Sequence, residues 1–271
     1  MAKPLPPACR RRRGPGILIP LLLPFCLAGC GPPSPQGWRQ HDLPDAGLPQ
    51  ASQASLARCA RLLQADGALG QELARPADPS NFGVRRSRDA LGRPIPHSPR
   101  LIVLHETVLS APDTIRLFQT PHPRDEDQVS YHMLIDRAGQ RLRIVPDARR
   151  AYGAGQSAFG DATVRYRSSS AGSVNEMALH LSLETPADGR GDSDGHSGYS
   201  EAQYRTAAAQ VLLWQARYGI PLTRLTTHAA VDRSRSRYDP RSFRWDRFDP
   251  AYRQAARRCA LTAYDNGRAS W

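Results

Sequence analysis

The chain has 271 residues and a formal net charge of +12. This length suits one domain of ordinary or large size, or two small ones. Because Lys3 and the four arginines at 10–13 lie in an N-terminal segment without acidic residues, the rest of the chain carries about 12 − 5 = +7. The other arginines are scattered and no recognised DNA- or RNA-binding module is present, so a nucleic-acid-binding protein is the least favoured class.

The first 29 residues have the pattern of a secretory signal. The basic run at 10–13 precedes an apolar stretch at 16–29 (GILIPLLLPFCLAG), which is too short and too interrupted by proline to favour a membrane span. The stretch leads into Leu-Ala-Gly-Cys, which resembles a bacterial lipobox and predicts that Cys30 is lipidated as the mature N-terminus. An ordinary signal peptide with an unmodified Cys30 is the alternative. The pattern predicts a lipid-anchored, extracytoplasmic protein of a bacterial cell envelope, where a positive charge suits an anionic surface.

Two of the five cysteines, Cys9 and Cys26, lie in the predicted signal, and Cys30 is the lipidation candidate. The remaining pair, Cys59 and Cys259, would lie in an oxidising compartment, which favours a disulfide between them. For so long a loop, chain entropy gives a stabilisation on the order of 5 kcal/mol as an upper figure. Two unpaired thiols are the alternative.

The mature chain divides into a tether, an extension and a larger region. Residues 30–50 contain the candidate lipidated cysteine followed by a segment rich in Pro, Gly and polar groups, which predicts a flexible tether. Residues 51–98 predict an N-terminal helical and loop extension: leucines between 51 and 74 favour one or two short helices, and 76–99 is typical of a loop. Residues 99–265 predict a single domain.

Strand and helix signals alternate from residue 101 onward. The apolar run 101–104 predicts a buried strand, and the sequence Ser-Ala-Pro-Asp at 110–113 predicts a helix start. Two β-like runs at 129–136 and 140–145 are joined by a hairpin signal. Residues 177–184 alternate, so that three leucines point one way and His180, Ser182 and Glu184 point the other.

The clearest helix signal covers residues 200–218. Ser200 and Gln203 match a capping box, and Gly219 followed by Pro221 ends the pattern. A short strand is expected before His228 and a terminal helix over 248–263. Together these elements predict an α/β fold in which a central mixed β-sheet is flanked by helices.

Two histidines and one aspartate form a candidate metal site. His105 follows the first strand in LIVLHET, His228 lies in LTTHAAVD, and Asp239 lies in RSRYDPRSF. Two imidazoles and one carboxylate suit a catalytic zinc ion that keeps one coordination position for water. His132 and His180 also lie on predicted strands, but such histidines are more often hydrogen-bonded structural groups. We therefore exclude both from the metal set.

The order of these motifs resembles the zinc-dependent N-acetylmuramoyl-L-alanine amidases, a group that includes the peptidoglycan recognition proteins. HET after an apolar strand is followed by VSYHMLIDRAGQRLRIVPDARRAYGAG, the second His and the late Asp-Pro, over roughly residues 99–243. The resemblance implies a zinc amidase domain over 99–265, with one zinc ion per chain held by His105, His228 and Asp239. It also implies hydrolysis of the amide bond between the lactyl group of N-acetylmuramic acid and L-alanine, during cell-wall remodelling, recycling or degradation.

The resemblance also implies the partners of the protein. We expect a peptidoglycan or muropeptide substrate in an open groove, attachment to a membrane through the N-terminal lipid, no nucleic acid, and a monomer. The alternative function is a non-catalytic peptidoglycan-binding lipoprotein of the same fold. Such relatives typically lose a zinc ligand, whereas all three positions here hold competent side chains. The Gly- and Asp-rich loop at 186–198 does not fit the spacing of an EF-hand, so we predict a mobile loop at the groove edge.

Further site residues are assigned by the resemblance. Tyr131 matches a cleft-lining tyrosine that can donate a hydrogen bond to an oxyanion; an aromatic that only packs is the alternative. Arg237 stands where lysine is usual, and it can hold charge but cannot shuttle a proton; a solvated loop charge is the alternative. Some members carry a general-base glutamate where Ser182 stands, so Glu184, on the same strand face, becomes the candidate base, unless it only solvates the sheet end. Members also often carry histidine where Gly153 stands.

Overall fold

The computed structural model describes residues 53–65, 69–191 and 193–259. These residues form a six-stranded mixed sheet with helices around it, which confirms the predicted α/β fold. Cys30, the signal and the tether lie outside the described residues, so their assignments stay predictions. In the part of the chain that is described, no helix combines the length and the apolar character needed to cross a membrane.

In chain order the described strands are β1 (Glu72–Ala74), β2 (Phe82–Val84), β3 (Leu101–Glu106), β4 (Met133–Ile135), β5 (Arg141–Arg143), β6 (Arg149–Ala151), β7 (Ala178–Leu183) and β8 (Leu225–Thr227). The central sheet has the strand order β1-β5-β4-β7-β3-β8, and β2 pairs with β6 in a separate two-stranded sheet. Strand β3 lies between β7 and β8 and runs parallel to both. The predicted hairpin is the antiparallel pair of β4 and β5.

The helices begin and end largely where their capping residues predict. The Ser200 side chain accepts from the Gln203 N–H while the Gln203 side chain accepts from the Ser200 N–H, and Gly219 ends the helix at φ 65°. Ser110 caps the helix after β3 by accepting from the Asp113 N–H. The helices are α1 (Gln53–Ala65), α2 (Ala111–Gln119), α3 (Glu201–Tyr218), α4 (His228–Val231) and α5 (Trp245–Arg258).

The alternation on β7 places three leucines on one face of the sheet and His180 and Ser182 on the other. The leucines of β7 join Ile102 and Leu104 of β3 in the largest core cluster, which also holds much of α3. His180 and Ser182 lie on the opposite face, where Ser182 is the register partner of His105. The predicted alternation therefore sets which side chains of the sheet are available to a site.

Three local predictions were wrong, and in two of them pairing with a distant strand decided the structure. Residues 72–74 are strand β1 rather than a second helix, since they pair with β5. The predicted loop 76–99 contains β2, which pairs with β6. Helix α5 begins at Trp245 rather than Phe248, and the rings of these two residues pack edge to face. Short apolar runs do not by themselves distinguish helix from strand.

The N-terminal extension is joined to the rest of the domain. Cys59 in α1 and Cys259 at the end of α5 are buried and linked by a disulfide with an S–S distance of 2.11 Å. Helix α1 packs on α3, and β1 forms one edge of the central sheet. The structure therefore contains the pairing that the cysteine pattern favoured, and Cys59, Leu63 and Leu69 belong to the main core.

Candidate metal centre

The three candidate ligands come from the same edge of the sheet. His105 lies near the C-terminal end of β3, and His228 is the first residue of α4, directly after β8. Because β3 and β8 are parallel neighbours, their C-terminal ends lie side by side. The chain then folds around the Asp232 carboxylate, which accepts backbone N–H bonds from Ser234, Ser236 and Arg237. This loop returns the chain to the sheet edge, where Asp239 joins the two histidines.

The ligand atoms of His105, His228 and Asp239 all lie within 4.8 Å of one another. His105 Nδ1 is 3.1 Å from Asp239 Oδ2, and His228 Nδ1 is 2.9 Å from Asp239 Oδ1. The second contact is short but off the direction of a hydrogen bond, so the buried His228 Nδ1 has no hydrogen-bond partner among the described residues. Two imidazoles and a carboxylate that converge in this way fit a tetrahedral zinc ion with an open position.

The protonation states of His105 and Asp239 also suit a metal ion. Burial lowers the pKa of His105 to about 4, so its imidazole is neutral near pH 7. Burial alone would raise the pKa of Asp239, but the neighbouring His228 and His105 bring it below its ordinary value, so this carboxyl is ionised. Neutral imidazole and ionised carboxylate are the forms that bind metals.

Tyr131 packs directly on one ligand. Its ring stacks on His105 with the centroids 4.5 Å apart and meets Phe118 edge to face at 5.3 Å. Burial raises the pKa of Tyr131 above its ordinary value, so the hydroxyl stays protonated and can donate. The sequence-based prediction and its packing alternative are therefore compatible, because the ring packs at the site itself.

Arg237 lies on the exposed loop before Asp239. Burial dominates the pKa shifts of His105 and Tyr131, and the positive charge of Arg237 contributes a smaller lowering to both. The guanidinium group therefore acts electrostatically on the site. The predicted role of Arg237, as a charge that is held rather than a proton that is moved, stays a prediction.

The carboxylate of Glu184 accepts hydrogen bonds from two backbone N–H groups outside the candidate metal centre. Its Oε1 accepts the N–H of Ala111, the first residue of α2, at 3.0 Å, and its Oε2 accepts the N–H of Arg137 at 2.9 Å. A general base needs an oxygen directed at the water that it deprotonates. These contacts instead favour a structural role, in which the carboxylate fixes the start of α2 to the turn after β4.

A buried ion pair beside the ligands was not anticipated from the sequence. Glu106 follows His105, and Arg241 lies two residues after Asp239. Arg241 donates from its backbone N and from Nε to Glu106 Oε1, at 3.0 and 2.6 Å. Both side chains are almost fully buried. The pair therefore joins the strand that carries one ligand to the loop that carries another; the only sequence signal was the proximity of HET and DPR to the trio.

The same pair contacts the described residues of the loop at 186–198, whose mobility stays a prediction. Arg241 donates to the carbonyls of Gly189, Gly191 and Ser193 at 2.5–3.2 Å. The fully buried His196 side chain places Nε2 3.1 Å from Glu106 Oε2. The composition of the loop is typical of turns, and the buried guanidinium group of Arg241 donates to its backbone carbonyls.

The candidate metal cluster found among the described residues contains the trio and neither His132 nor His180. His180 Nδ1 is 2.9 Å from His105 Nε2, and the backbone N–H of His180 donates to His132 Nδ1. Gly153 lies against His180, and a Cβ at position 153 would lie 2.5 Å from the His180 ring.

The model of the family described as N-acetylmuramoyl-L-alanine amidase matches residues 95–242, more than half of the chain. A comparison with curated proteins gave no match. Among solved structures, a selenomethionine AmpD derivative is similar at 24% identity, over 66% of this chain and 93% of that chain, with a TM-score of 0.47.

Two further structures are similar to the chain. One is AmpD of Citrobacter freundii, at 25% identity, 69% and 92% coverage of the two chains and a TM-score of 0.44. The other is E. coli AmiD, in complex with the substrate anhydro-N-acetylmuramic acid-L-Ala-D-γ-Glu-L-Lys, at 20% identity, 58% coverage of each chain and a TM-score of 0.46.

Proposed function

The chain belongs to the N-acetylmuramoyl-L-alanine amidase family, and we propose that it is a zinc-dependent enzyme that cleaves the bond between the muramoyl lactyl group and L-alanine. The observation that carries the zinc dependence is the convergence of His105, His228 and Asp239, with one buried imidazole nitrogen left without a hydrogen bond. A non-catalytic peptidoglycan-binding protein would not need three competent ligands, so this alternative is less well supported.

Different residues of the site would supply different parts of the proposed reaction. His105, His228 and Asp239 would hold the zinc ion, which when bound supplies an activated water and polarises the carbonyl. The protonated Tyr131 hydroxyl beside His105 can donate to the oxyanion that develops on the lactyl carbonyl. Arg237 adds a fixed positive charge at the rim. Glu184 is held by two backbone N–H groups and Glu106 by Arg241, so we assign neither as the general base.

The proposed location follows from the N-terminal sequence. The signal pattern and lipobox at 1–30 support a protein anchored by lipid on Cys30, with 30–50 as the tether and 99–265 as the amidase domain. The substrate would be peptidoglycan or muropeptides of the bacterial envelope. Cys30→Ala should release the protein from the membrane fraction, and retention of this variant with the membranes would contradict the lipid anchor.

The enzymatic proposal is tested on purified mature protein. We expect about one zinc ion per chain and release of stem peptides from muropeptides, identified by mass spectrometry. His228→Ala should remove both zinc and activity, whereas His97→Ala, a change at an exposed histidine, should leave both unchanged. Full activity in the His228 variant, or after exhaustive chelation, would contradict the proposal.

A further inference from the structure

His180 is the one side chain that hydrogen-bonds His105 on the ring edge opposite Asp239, among the described residues. His105 Nε2 lies 2.9 Å from His180 Nδ1, while His105 Nδ1 faces Asp239 Oδ2 at 3.1 Å. Both histidines are fully buried. The two nitrogens of His105 therefore have separate partners, one in the candidate metal centre and one on the neighbouring strand β7.

This division has a consequence for the tautomer of His105. A neutral imidazole that offers the Nδ1 lone pair to a metal carries its proton on Nε2. That proton needs an acceptor, and metal-binding histidines usually donate to a carboxylate, a carbonyl or water. Here the acceptor in place is His180 Nδ1. If His105 Nε2 donates to His180 Nδ1 across this 2.9 Å contact, His105 would be held as the tautomer whose Nδ1 is free for zinc.

The ring of His180 lies next to the ring of His132 and to Gly153. The backbone N–H of His180 donates to His132 Nδ1 at 2.9 Å. The proton of a neutral His132 therefore lies on Nε2, which donates to the Arg149 carbonyl at 3.0 Å. The rings of His132 and His180 are nearly parallel, with an interplanar angle of 10°. On another side Gly153 approaches so closely that a Cβ would lie 2.5 Å from His180 Cγ and Nδ1.

The other nitrogen of His180 argues against a role in packing alone. His180 Nε2 is buried and has no hydrogen-bond partner among the described residues. An unpaired buried polar group costs about 1–3 kcal/mol. An apolar side chain would fill this space without that cost, so the ring is explained by the contact that its Nδ1 makes.

We propose that His180 is a positioning residue of the metal centre, which accepts the Nε2 proton of His105 and fixes the rotation and tautomer that direct Nδ1 to zinc. This inference rests on the proposed zinc site. Gly153 belongs to the same arrangement, because only a residue without Cβ leaves room for the ring that makes the contact.

Two substitutions test separately whether the acceptor atom of His180 or the volume of its ring matters. His180→Asn places an amide oxygen near the position of Nδ1, whereas His180→Phe keeps a ring without an acceptor. Zinc affinity is measured by competition with a chromophoric chelator. We expect the Phe variant to bind zinc about 10–100-fold more weakly and the Asn variant to stay close to the wild type. The opposite order would show a packing role and overturn the inference.

The glycine at 153 allows a matched test. Gly153→Ala should displace the His180 ring and weaken zinc binding, whereas Gly155→Ala adds a Cβ with nothing within 4 Å and should not. Equal zinc affinities in the two variants would contradict the proposed arrangement.

A measurement on the unmodified protein covers the case in which a variant does not fold. In the zinc-loaded wild type, ¹⁵N NMR should show the His105 proton on Nε2, coupled to a second imidazole nitrogen; a proton on Nδ1 would overturn the inference. The zinc titration of the wild type separates the two proposals. No binding there refutes the zinc-dependent function, whereas tight binding that survives His180→Phe refutes only the role of His180.

Discussion

The two faces of strands β3 and β7 are equally buried but have different chemistry. On one face, apolar side chains of both strands pack with α3 in the main core. On the other, the same strands present His105, His180 and Ser182, all with no exposed surface. Here His180 Nε2 and Ser182 Oγ lack hydrogen-bond partners among the described atoms. Because such groups reduce stability, the comparison indicates that one face supplies the main core. The other combines a smaller apolar cluster around Leu101 and Val103 with buried polar groups that lower stability.

The largest expected effect comes from the buried ion pair of Glu106, at the C-terminal end of β3, with Arg241. Arg241→Met leaves the buried Glu106 carboxylate without its counter-charge, which should cost about 3–5 kcal/mol of unfolding free energy. It should also weaken zinc binding, because Arg241 ties the Asp239 loop to β3. Denaturant unfolding and zinc titration measure the two effects.

The controls for this prediction use a surface pair and a double variant. Arg244→Met removes an exposed arginine that pairs with Asp246 and should change neither quantity. Glu106→Gln combined with Arg241→Met should recover part of the stability, since no uncompensated charge is then buried. A single variant as stable as the wild type would show that the pair does not hold this edge together.

On the apolar face, Leu181→Ala should cost about 2–5 kcal/mol because it opens a cavity in the core. Zinc affinity of the folded variant should be unchanged, which is the reverse of the result expected for His180→Phe, one residue earlier. Thermal unfolding and chelator competition provide the comparison. A marked loss of zinc affinity in the Leu181 variant would show that the two faces are not independent.

The disulfide also belongs to the apolar side, where it joins α1 to the end of α5. Replacing Cys59 and Cys259 by serine should lower the unfolding free energy by about 2–4 kcal/mol. Zinc binding and kcat should not change, because neither helix carries a site residue. Unfolding of the oxidised, reduced and double-serine proteins checks this, and a drop in kcat without a loss of stability would be the contrary result.

The smallest effect is expected at Glu184. Glu184→Gln replaces one hydrogen-bond-accepting oxygen by a donor facing a backbone N–H, which should cost about 1–3 kcal/mol. Turnover should be unaffected if the carboxylate only holds α2 and the turn at Arg137. Steady-state kinetics decide the matter: slow turnover at full stability and full zinc content would restore Glu184 as the general base.

The sequence by itself determined the alternating faces of β7, the caps of α2 and α3, the central sheet and the three metal-binding candidates. These features depend on local periodicity or on the chemistry of single residue types, which a linear pattern records directly. The pairing of Cys59 with Cys259 was also accessible, since few cysteines remained to pair.

Only the tertiary structure decided what the neighbouring polar residues do. Glu106 and Arg241 are 135 positions apart, and His105 and His180 are 75 apart. Glu184 has the same alternation as Ser182, yet the start of α2 and the turn at Arg137 engage its carboxylate. The pairing of β1 and β2 was likewise set by distant strands. Contacts of this kind arise from how the chain packs back on itself, and local periodicity carries no information about them.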